Sequence, residues 1–449
     1  MKDVLVIGAG QSSPFLIDWM LAQSESADWF VTVADRDDEL ARARLRNHPR
    51  GAAVAMDVMD EGMRSTQIAQ ADIVVNMMPP ALQTVIARDC VRHGVHMVSV
   101  SHKDRRLHEL ESAAREAGVL LLTDIGLDPG LDLMSAMSMI QDIRSAGGVI
   151  EGYESYGSGV PRPDADINPL RYCITWNPRN VVMAAEFGAQ YRRDGKTKIL
   201  PWHAVFRDPW PVEVPGVGLM EAYPNRNSLA YEDAFELSEA ETLIRGTLRY
   251  PGWCETWHQI VRLGLPNEHV RIPQLNKRSY AEIVDMFLPE SLIGDDIEER
   301  VARFLDIDPI GRTMQNLRWL GLFSDKPTNA EGTTVADAMI HLLRTRLVLP
   351  DNEPDLVILH HMFHVYHPES DRRERVVGTF VHYGEPGGTT AMAKTVGLPA
   401  ALAARLLLDG ELTLTGCAIP TQKEVYRPIL AGLENEGIAF SEETHAVQT

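Results

Sequence analysis

Short apolar runs recur through the first part of the chain, and each one ends in a polar or glycine-bearing turn. Val4-Leu5-Val6-Ile7 leads into Gly8-Ala9-Gly10, Phe30-Val31-Thr32-Val33-Ala34 into Asp35-Arg36, and Ala53-Val54-Ala55-Met56 into Asp57-Val58. Ile73-Val74-Val75-Asn76 follows, running into Met77-Met78-Pro79, then His96-Met97-Val98-Ser99, and then Val119-Leu120-Leu121-Leu122 ahead of Asp124-Ile125-Gly126. Continuous runs of this kind, rich in β-branched residues, suit strands buried on both faces. Segments of helical length separate them, among them 80–93 and 103–117. Alternation of strand and helix predicts a parallel, doubly wound α/β sheet of Rossmann type.

The pattern changes near Gly126-Leu127-Asp128-Pro129-Gly130. A helix is expected over 132–146, then short strands with Pro- and Gly-rich connections over 149–260. Trp202, Trp210, Trp253 and Trp257 fall in that stretch and suit a second core. Over 267–348 apolar residues return at helical spacing, in segments 280–287, 296–304, 311–320 and 334–347. Strand-like runs resume at 356–359 and 375–381. Helices are then expected at 391–396, 399–408 and 421–436, the last opening with Thr421 and Glu424 in capping-box spacing. The resulting partition is a dinucleotide-binding domain over 1–128 and a second α/β domain over 129–266. A helical insertion covers 267–348, the second α/β domain resumes over 349–392, and C-terminal helices follow over 393–449.

The first turn carries the candidate chemistry. Glycine tolerates positive φ and lets backbone approach a ligand closely. Ser12 or Ser13 is expected to cap the following helix, with Pro14 in its first turn, so that the helix aims its positive end at a phosphate. Ser13 stands where a third glycine or alanine is usual in dinucleotide-binding turns. Asp35 closes the second strand, where a carboxylate can hold a ribose hydroxyl, while Arg36 beside it could hold a 2′-phosphate. The cofactor is therefore NADP or NAD. Its candidate ligands are Gly8, Gly10, Gln11, Ser12 and Ser13 in the turn, and Asp35, Arg36, Asp57, Asn76, Met77 and Met78 at later strand ends.

Composition narrows the classes that remain. A chain of 449 residues is too long for one ordinary core. A formal charge of −20 disfavours nucleic acid and anionic membrane as partners, and requires local cations if the substrate is an anion. No apolar run approaches the roughly 20 residues of a membrane span, and no secretory leader is expected ahead of the first strand. Cys90, Cys173, Cys254 and Cys417 are widely spaced, as expected of reduced thiols in a cytoplasmic protein. His360-His361 and His364 lack the spacing of a metal site, and strand geometry sends adjacent side chains to opposite faces, so no metal is expected.

Five stretches resemble the saccharopine dehydrogenase family, in its glutamate-forming branch. They are Asp124-Ile125-Gly126-Leu127-Asp128-Pro129-Gly130-Leu131-Asp132, Asn168-Pro169-Leu170, Tyr223-Pro224-Asn225-Arg226, Ile244-Arg245-Gly246-Thr247-Leu248-Arg249-Tyr250, and Met392-Ala393-Lys394-Thr395-Val396-Gly397-Leu398-Pro399. Their order and spacing agree along nearly the whole chain, and the resemblance implies that the second α/β domain holds the substrate, that the helical insertion is a subdomain and that the C-terminal helices over 393–449 return to pack on the first domain. The resemblance implies oxidative cleavage of saccharopine to glutamate and 2-aminoadipate semialdehyde, or the reverse reductive amination. It implies Ser101 as a contact to both substrate and cofactor, Leu127 and Asn177 as cofactor contacts, and Asp128 as a substrate-amine contact; for the general base the candidates are Asp128 and the substrate's own amine assisted by water. Arg226, Thr247, Leu248 and Arg249 are implied to bind substrate, and Gly157 stands where relatives can carry cysteine.

Each of these residues also has a plain structural reading. Asp128 could cap the helix beginning near Leu131, Arg226 could be a solvated turn residue, and two of Arg226, Arg245 and Arg249 could pair with Glu239 or Glu241. His102 and Lys103 suggest an acid and a base without a place for either. The partner is expected to be a small amino-acid substrate, with a homodimer possible. The alternatives are an enzyme like carboxynorspermidine synthase or lysine dehydrogenase, or a catalytically inactive dinucleotide-binding relative.

Overall fold

The computed structural model describes residues 1–294 and 296–447. The chain forms two compact units, Met1–Gly148 with His382–Ser441, and Val149–Val381 with the end of the chain from Glu442.

The first unit is built on seven parallel strands: β1 (Lys2–Ile7), β2 (Trp29–Asp35), β3 (Gly51–Ala55), β4 (Ile73–Asn76), β5 (His96–Ser99), β6 (Leu120–Leu122) and β7 (Gly416–Ala418). Their spatial order is β7-β6-β5-β4-β1-β2-β3. The order reverses beside β1, and in a doubly wound sheet a ligand binds at that switch point, beyond the carboxyl ends of the strands. Val4, Val6, Val31, Val33, Val74 and Val98 are fully buried, which is why these runs carry no polar alternation.

The helices of this unit are α1 (Pro14–Gln23), α2 (Asp38–Leu45), α3 (Glu61–Ala69), α4 (Pro80–His93), α5 (Leu131–Ser145), α6 (Ala391–Leu408) and α7 (Lys423–Asn435). The helix expected over 103–117 is instead a 3-10 turn, Arg105–Leu110, followed by the short helix Glu111–Glu116. The two helices expected at 391–396 and 399–408 are one, running through Pro399. Pro399 removes one intrahelical bond, but α6 packs tightly on α1 and α7 and is held in helical form by its burial. By length and hydropathy α6 could cross a membrane, yet 72% of it is buried inside the protein. Its apolar character is spent on packing. The capping box expected at Thr421 and Glu424 does not form; α7 begins at Lys423, and Gln422 holds the cap position without a side-chain bond.

The second unit carries a mixed sheet whose main path runs Trp210–Val214, Gly218–Pro224, Thr242–Arg249, Val149–Pro161, Asp355–His367, Arg372–Tyr383 and Ser441–Ala446. Thr242–Arg249 pairs in parallel with Val149–Pro161, and Asp355–His367 pairs antiparallel to it. The helices Tyr280–Asp285, Ile297–Leu305, Arg312–Leu320 and Val335–Arg346 fall where periodicity expects them. Ser279 with Glu282 and Thr334 with Asp337 form capping boxes that fix two of their starts. These helices do not stand apart as a subdomain. Leu317, Leu320, Met339 and Leu343 share one core with Ile244, Leu248 and Ile358 of the sheet, joined through Trp253 and Trp257, whose rings stack at 4.9 Å. Trp202 departs from expectation, since it is about half exposed and lies outside that core.

Candidate active site

In the first unit the glycine turn leaves β1 and enters α1. Gly8 has φ 108, and a Cβ there would meet Met78 and Met77 at 3.2 and 3.3 Å. Gly10 would meet nothing within 4 Å, so the space over the turn is open, as a pyrophosphate requires. Ser13 takes the N-cap position of α1 but does not cap it; it is already in helical conformation, and its hydroxyl donates back to Gly10 O at 2.8 Å. Gln11 is exposed and Ser12 half-buried in the same turn.

Asp35 is engaged within the protein. Its carboxylate accepts from Ala9 N at 2.7 Å and from Asp37 N at 2.9 Å. Arg36 is exposed beside it. Arg44 on α2, which no motif marks, donates through Nε to Ala9 O at 3.1 Å, and burial lowers its pKa. The turn is therefore gripped by a carboxylate at one amide and a guanidinium at one carbonyl.

The later strand ends form a connected network. Asn76 donates to Ser99 Oγ at 3.0 Å and accepts from Met78 N at 3.0 Å, and Ser101 donates to Met78 O at 2.7 Å. Met77 and Met78 are half-buried there. Asp57 is exposed and accepts from Met59 N at 2.9 Å. Leu127 is buried, and its carbonyl accepts from Asp132 N at 3.0 Å. Asp128 does not cap α5; Gly130 holds that position at φ 144, and Asp128 stands half-buried before it.

In the second unit the strand Thr242–Arg249 supplies several candidates. Arg226 sits in the left-handed region at φ 53, half-buried, with its guanidinium 5.7 Å from the Phe187 ring. Among the described residues its guanidinium makes no hydrogen bond or ion pair, while its main chain pairs in parallel with Ala189. A non-glycine residue held in this conformation costs energy and is found disproportionately at functional positions. The main chain beside it is pinned, since Asn225 N donates to Arg245 O at 2.8 Å. Thr247 pairs with Tyr223 on one side and with Gly157 on the other, and is half-buried, while Leu248 is fully buried.

Arg249 is only 4% exposed. Its guanidinium lies 4.7 Å from the Tyr172 ring, 5.8 Å from Tyr223 and 5.0 Å from Trp253. It donates to Ser158 Oγ at 3.3 Å and to Leu248 O at 2.7 Å, with no carboxylate partner among the described residues. Arg245 is also buried, with Tyr231 stacked 4.2 Å from its guanidinium. Asn177 caps the short helix Pro178–Val182, accepting from Arg179 N at 3.0 Å.

The histidines on Asp355–His367 are each committed elsewhere. His360 Nδ1 lies 2.9 Å from Thr379 Oγ1, His361 Nδ1 3.0 Å from Ser155 Oγ, and His364 Nε2 3.3 Å from Glu154 Oε1. Burial drives the His360 and His361 pKa values down to about 4 and about 3.

A parallel sheet with a glycine turn at its switch point, joined to a second α/β unit in which Arg226 has no ion-pair partner among the described residues, defines a dinucleotide-dependent oxidoreductase. Residues 4–122 match the family model described as saccharopine dehydrogenase NADP binding domain, and residues 126–438 match the saccharopine dehydrogenase C-terminal domain. The chain belongs to the saccharopine dehydrogenase family. It is 31% identical to the saccharopine dehydrogenase [NADP(+), L-glutamate-forming] of Schizosaccharomyces pombe over 99% of both chains. It is 33% identical to the mitochondrial alpha-aminoadipic semialdehyde synthase of Bos taurus, over 98% of this chain and 47% of that protein. The solved apo structure of the L-Glu-forming saccharopine dehydrogenase from Saccharomyces cerevisiae superposes with a TM-score of 0.86 at 30% identity, covering 99% of this chain and 100% of that one.

Proposed function

We propose that this protein oxidises saccharopine at its secondary C–N bond, with NADP and water, to glutamate and 2-aminoadipate semialdehyde, or runs the reverse reductive amination. The turn at Gly8 and Gly10 would hold the pyrophosphate against the amino end of α1. A bound nicotinamide would supply the acceptor for the hydride on the carbon beside the amine. Asn76, Ser99, Ser101 and Met78 form a network that fixes the loops at the carboxyl ends of β4 and β5. Ser101, Leu127 and Asp128 are the residues we assign there to substrate and cofactor.

NADP is favoured over NAD by the state of Asp35. Both oxygens of its carboxylate already accept backbone amides, while Arg36 stands exposed next to it for a 2′-phosphate. Parallel kinetics with the two cofactors test this choice, and a KM tenfold lower for NAD would overturn it.

The observation that carries the substrate reading is Arg226, a strained and half-buried cation without an acidic partner among the described residues, on a chain of net charge −20. Saccharopine offers three carboxylates, and a guanidinium grips a carboxylate through two parallel hydrogen bonds. Thr247, Leu248 and Arg249 line the neighbouring strand, with Arg249 placed to act through the aromatic residues around it. Arg226→Ala is expected to raise KM for saccharopine by the equivalent of about 2–5 kcal/mol while leaving thermal stability nearly unchanged. An unchanged KM would remove the assignment. The four unpaired thiols suit a reducing compartment such as the cytoplasm.

A further inference from the structure

We infer that His102, oriented by Asp124, is the proton acceptor and donor of the reaction; this rests on the NADP-dependent amine-dehydrogenase reading above. His102 lies in the loop after β5, next to Ser101, and Asp124 closes β6 beside it. Asp124 is 3% exposed and held at φ 57, a conformation unusual for a residue with a side chain.

The loops after β5 and β6 are laced together at this point. Asp124 N donates to Ser101 O at 3.1 Å, and Ile125 N donates to Ser99 O at 3.1 Å. The Asp124 carboxylate accepts from Lys103 N at 2.8 Å and from Thr123 Oγ1 at 2.9 Å, both through Oδ2. Its other oxygen, Oδ1, stands 3.4 Å from His102 Nδ1. A carboxylate beside Nδ1 favours the tautomer with the proton on Nδ1, so that Nε2 carries the lone pair.

The other histidines with geometry of note do not compete. His360 and His361 are buried at strand centres and bonded to hydroxyls. The His102 ring keeps about a third of its surface exposed, enough to exchange protons with water.

The proton balance closes with one group. The substrate amine enters protonated and gives one proton to His102 Nε2, which passes it to solvent. Hydride then leaves the adjacent carbon for the nicotinamide, and the nitrogen lone pair forms the C=N bond of a protonated imine. Water adds to that carbon while its proton goes to Nε2, giving a carbinolamine. Nε2 returns this proton to the nitrogen, the C–N bond breaks with its electron pair going to nitrogen, and the hydroxyl proton follows to the departing amine. The aldehyde remains, and one proton is released overall.

His102→Ala is expected to lower kcat by about 10²–10⁴, with KM for saccharopine and the affinity for NADP, read by fluorescence titration, within a factor of about two. Added imidazole should restore part of the rate in that variant and none in wild type. Asp124→Asn should lower kcat with cofactor affinity retained, and imidazole should not rescue it. If Asp124→Asn fails to fold, His102→Ala with imidazole carries the test alone. A His102→Ala rate close to wild type, or a lost rate that imidazole cannot restore, overturns the assignment. The same series is run on whichever amine the wild type oxidises. A diamine oxidised in place of saccharopine would therefore refute the substrate while still testing His102, and no oxidation of any amine would refute both.

Discussion

At Gly8 the backbone has φ 108, and a Cβ would press on Met77 and Met78; at Gly10 the φ is ordinary, and a Cβ would point into open space. The two glycines are therefore constrained differently, the first by its neighbours and the second only by whatever occupies the open space above it. Gly10→Val is expected to abolish NADP binding in a titration while the melting temperature stays within a few degrees of wild type, and unchanged affinity would sink the assignment. His360 gives a prediction of opposite kind, about stability alone. Burial holds its folded-state pKa near 4, against an unfolded value of about 6.5. The unfolded chain then binds the proton first, so stability falls as pH drops below about 6.5 and levels off near 4. The contribution lost is roughly 3 kcal/mol. Chemical denaturation across this range should show a shallower decline in His360→Gln, and an identical slope would contradict the account. At this scale the sequence was legible where residue type alone dictates the role, as at the glycines. It was silent where the role depends on how a loop turns. Nothing in the order of residues shows that Asp35 accepts from Ala9, that Arg44 reaches the same turn from α2, or that Asp124 stands beside His102.

Among elements, α6 illustrates two opposing effects at one position. Gly397 sits inside this helix where it crosses α1, and a Cβ there would come within 2.9 Å of Leu16 Cβ and 3.0 Å of its backbone nitrogen. Alanine is a better helix former than glycine by about 1 kcal/mol, but overpacking against a neighbouring backbone costs about 1–3 kcal/mol. The backbone cannot rotate away as a side chain can, so packing should win. Gly397→Ala is expected to lower the melting temperature, and a raised one would show that α1 yields. Strands and helices were readable from periodicity because burial on two faces or one imposes it. The ends were less so. The Thr421 and Glu424 spacing is present, but α7 starts one residue later than a cap at Thr421 requires. Pro399 reads as a break in sequence, whereas packing of α6 on both sides carries the helix through it.

For the whole molecule, the switch from strand-helix alternation to mixed structure was visible near residue 130, but the unit boundary lies at Gly148 and again at Val381. Helix α5 packs with α7 and so stays with the first unit, a pairing between distant segments that no local pattern reveals. The segment 267–348 reads as a separate helical body because its periodicity is self-contained. Its apolar faces instead complete the core beneath the sheet of the second unit. The arginines are the feature of this scale that bears on chemistry. A protein of charge −20 repels a tricarboxylate at long range, so binding one requires cations held at fixed positions, as Arg226 is. The most direct test is to mix the protein with NADP and saccharopine and follow reduced-nicotinamide absorbance together with product analysis. The account predicts that reduced cofactor, glutamate and 2-aminoadipate semialdehyde appear in equal amounts; absence of all three, or reduction with a diamine and none with saccharopine, would contradict it.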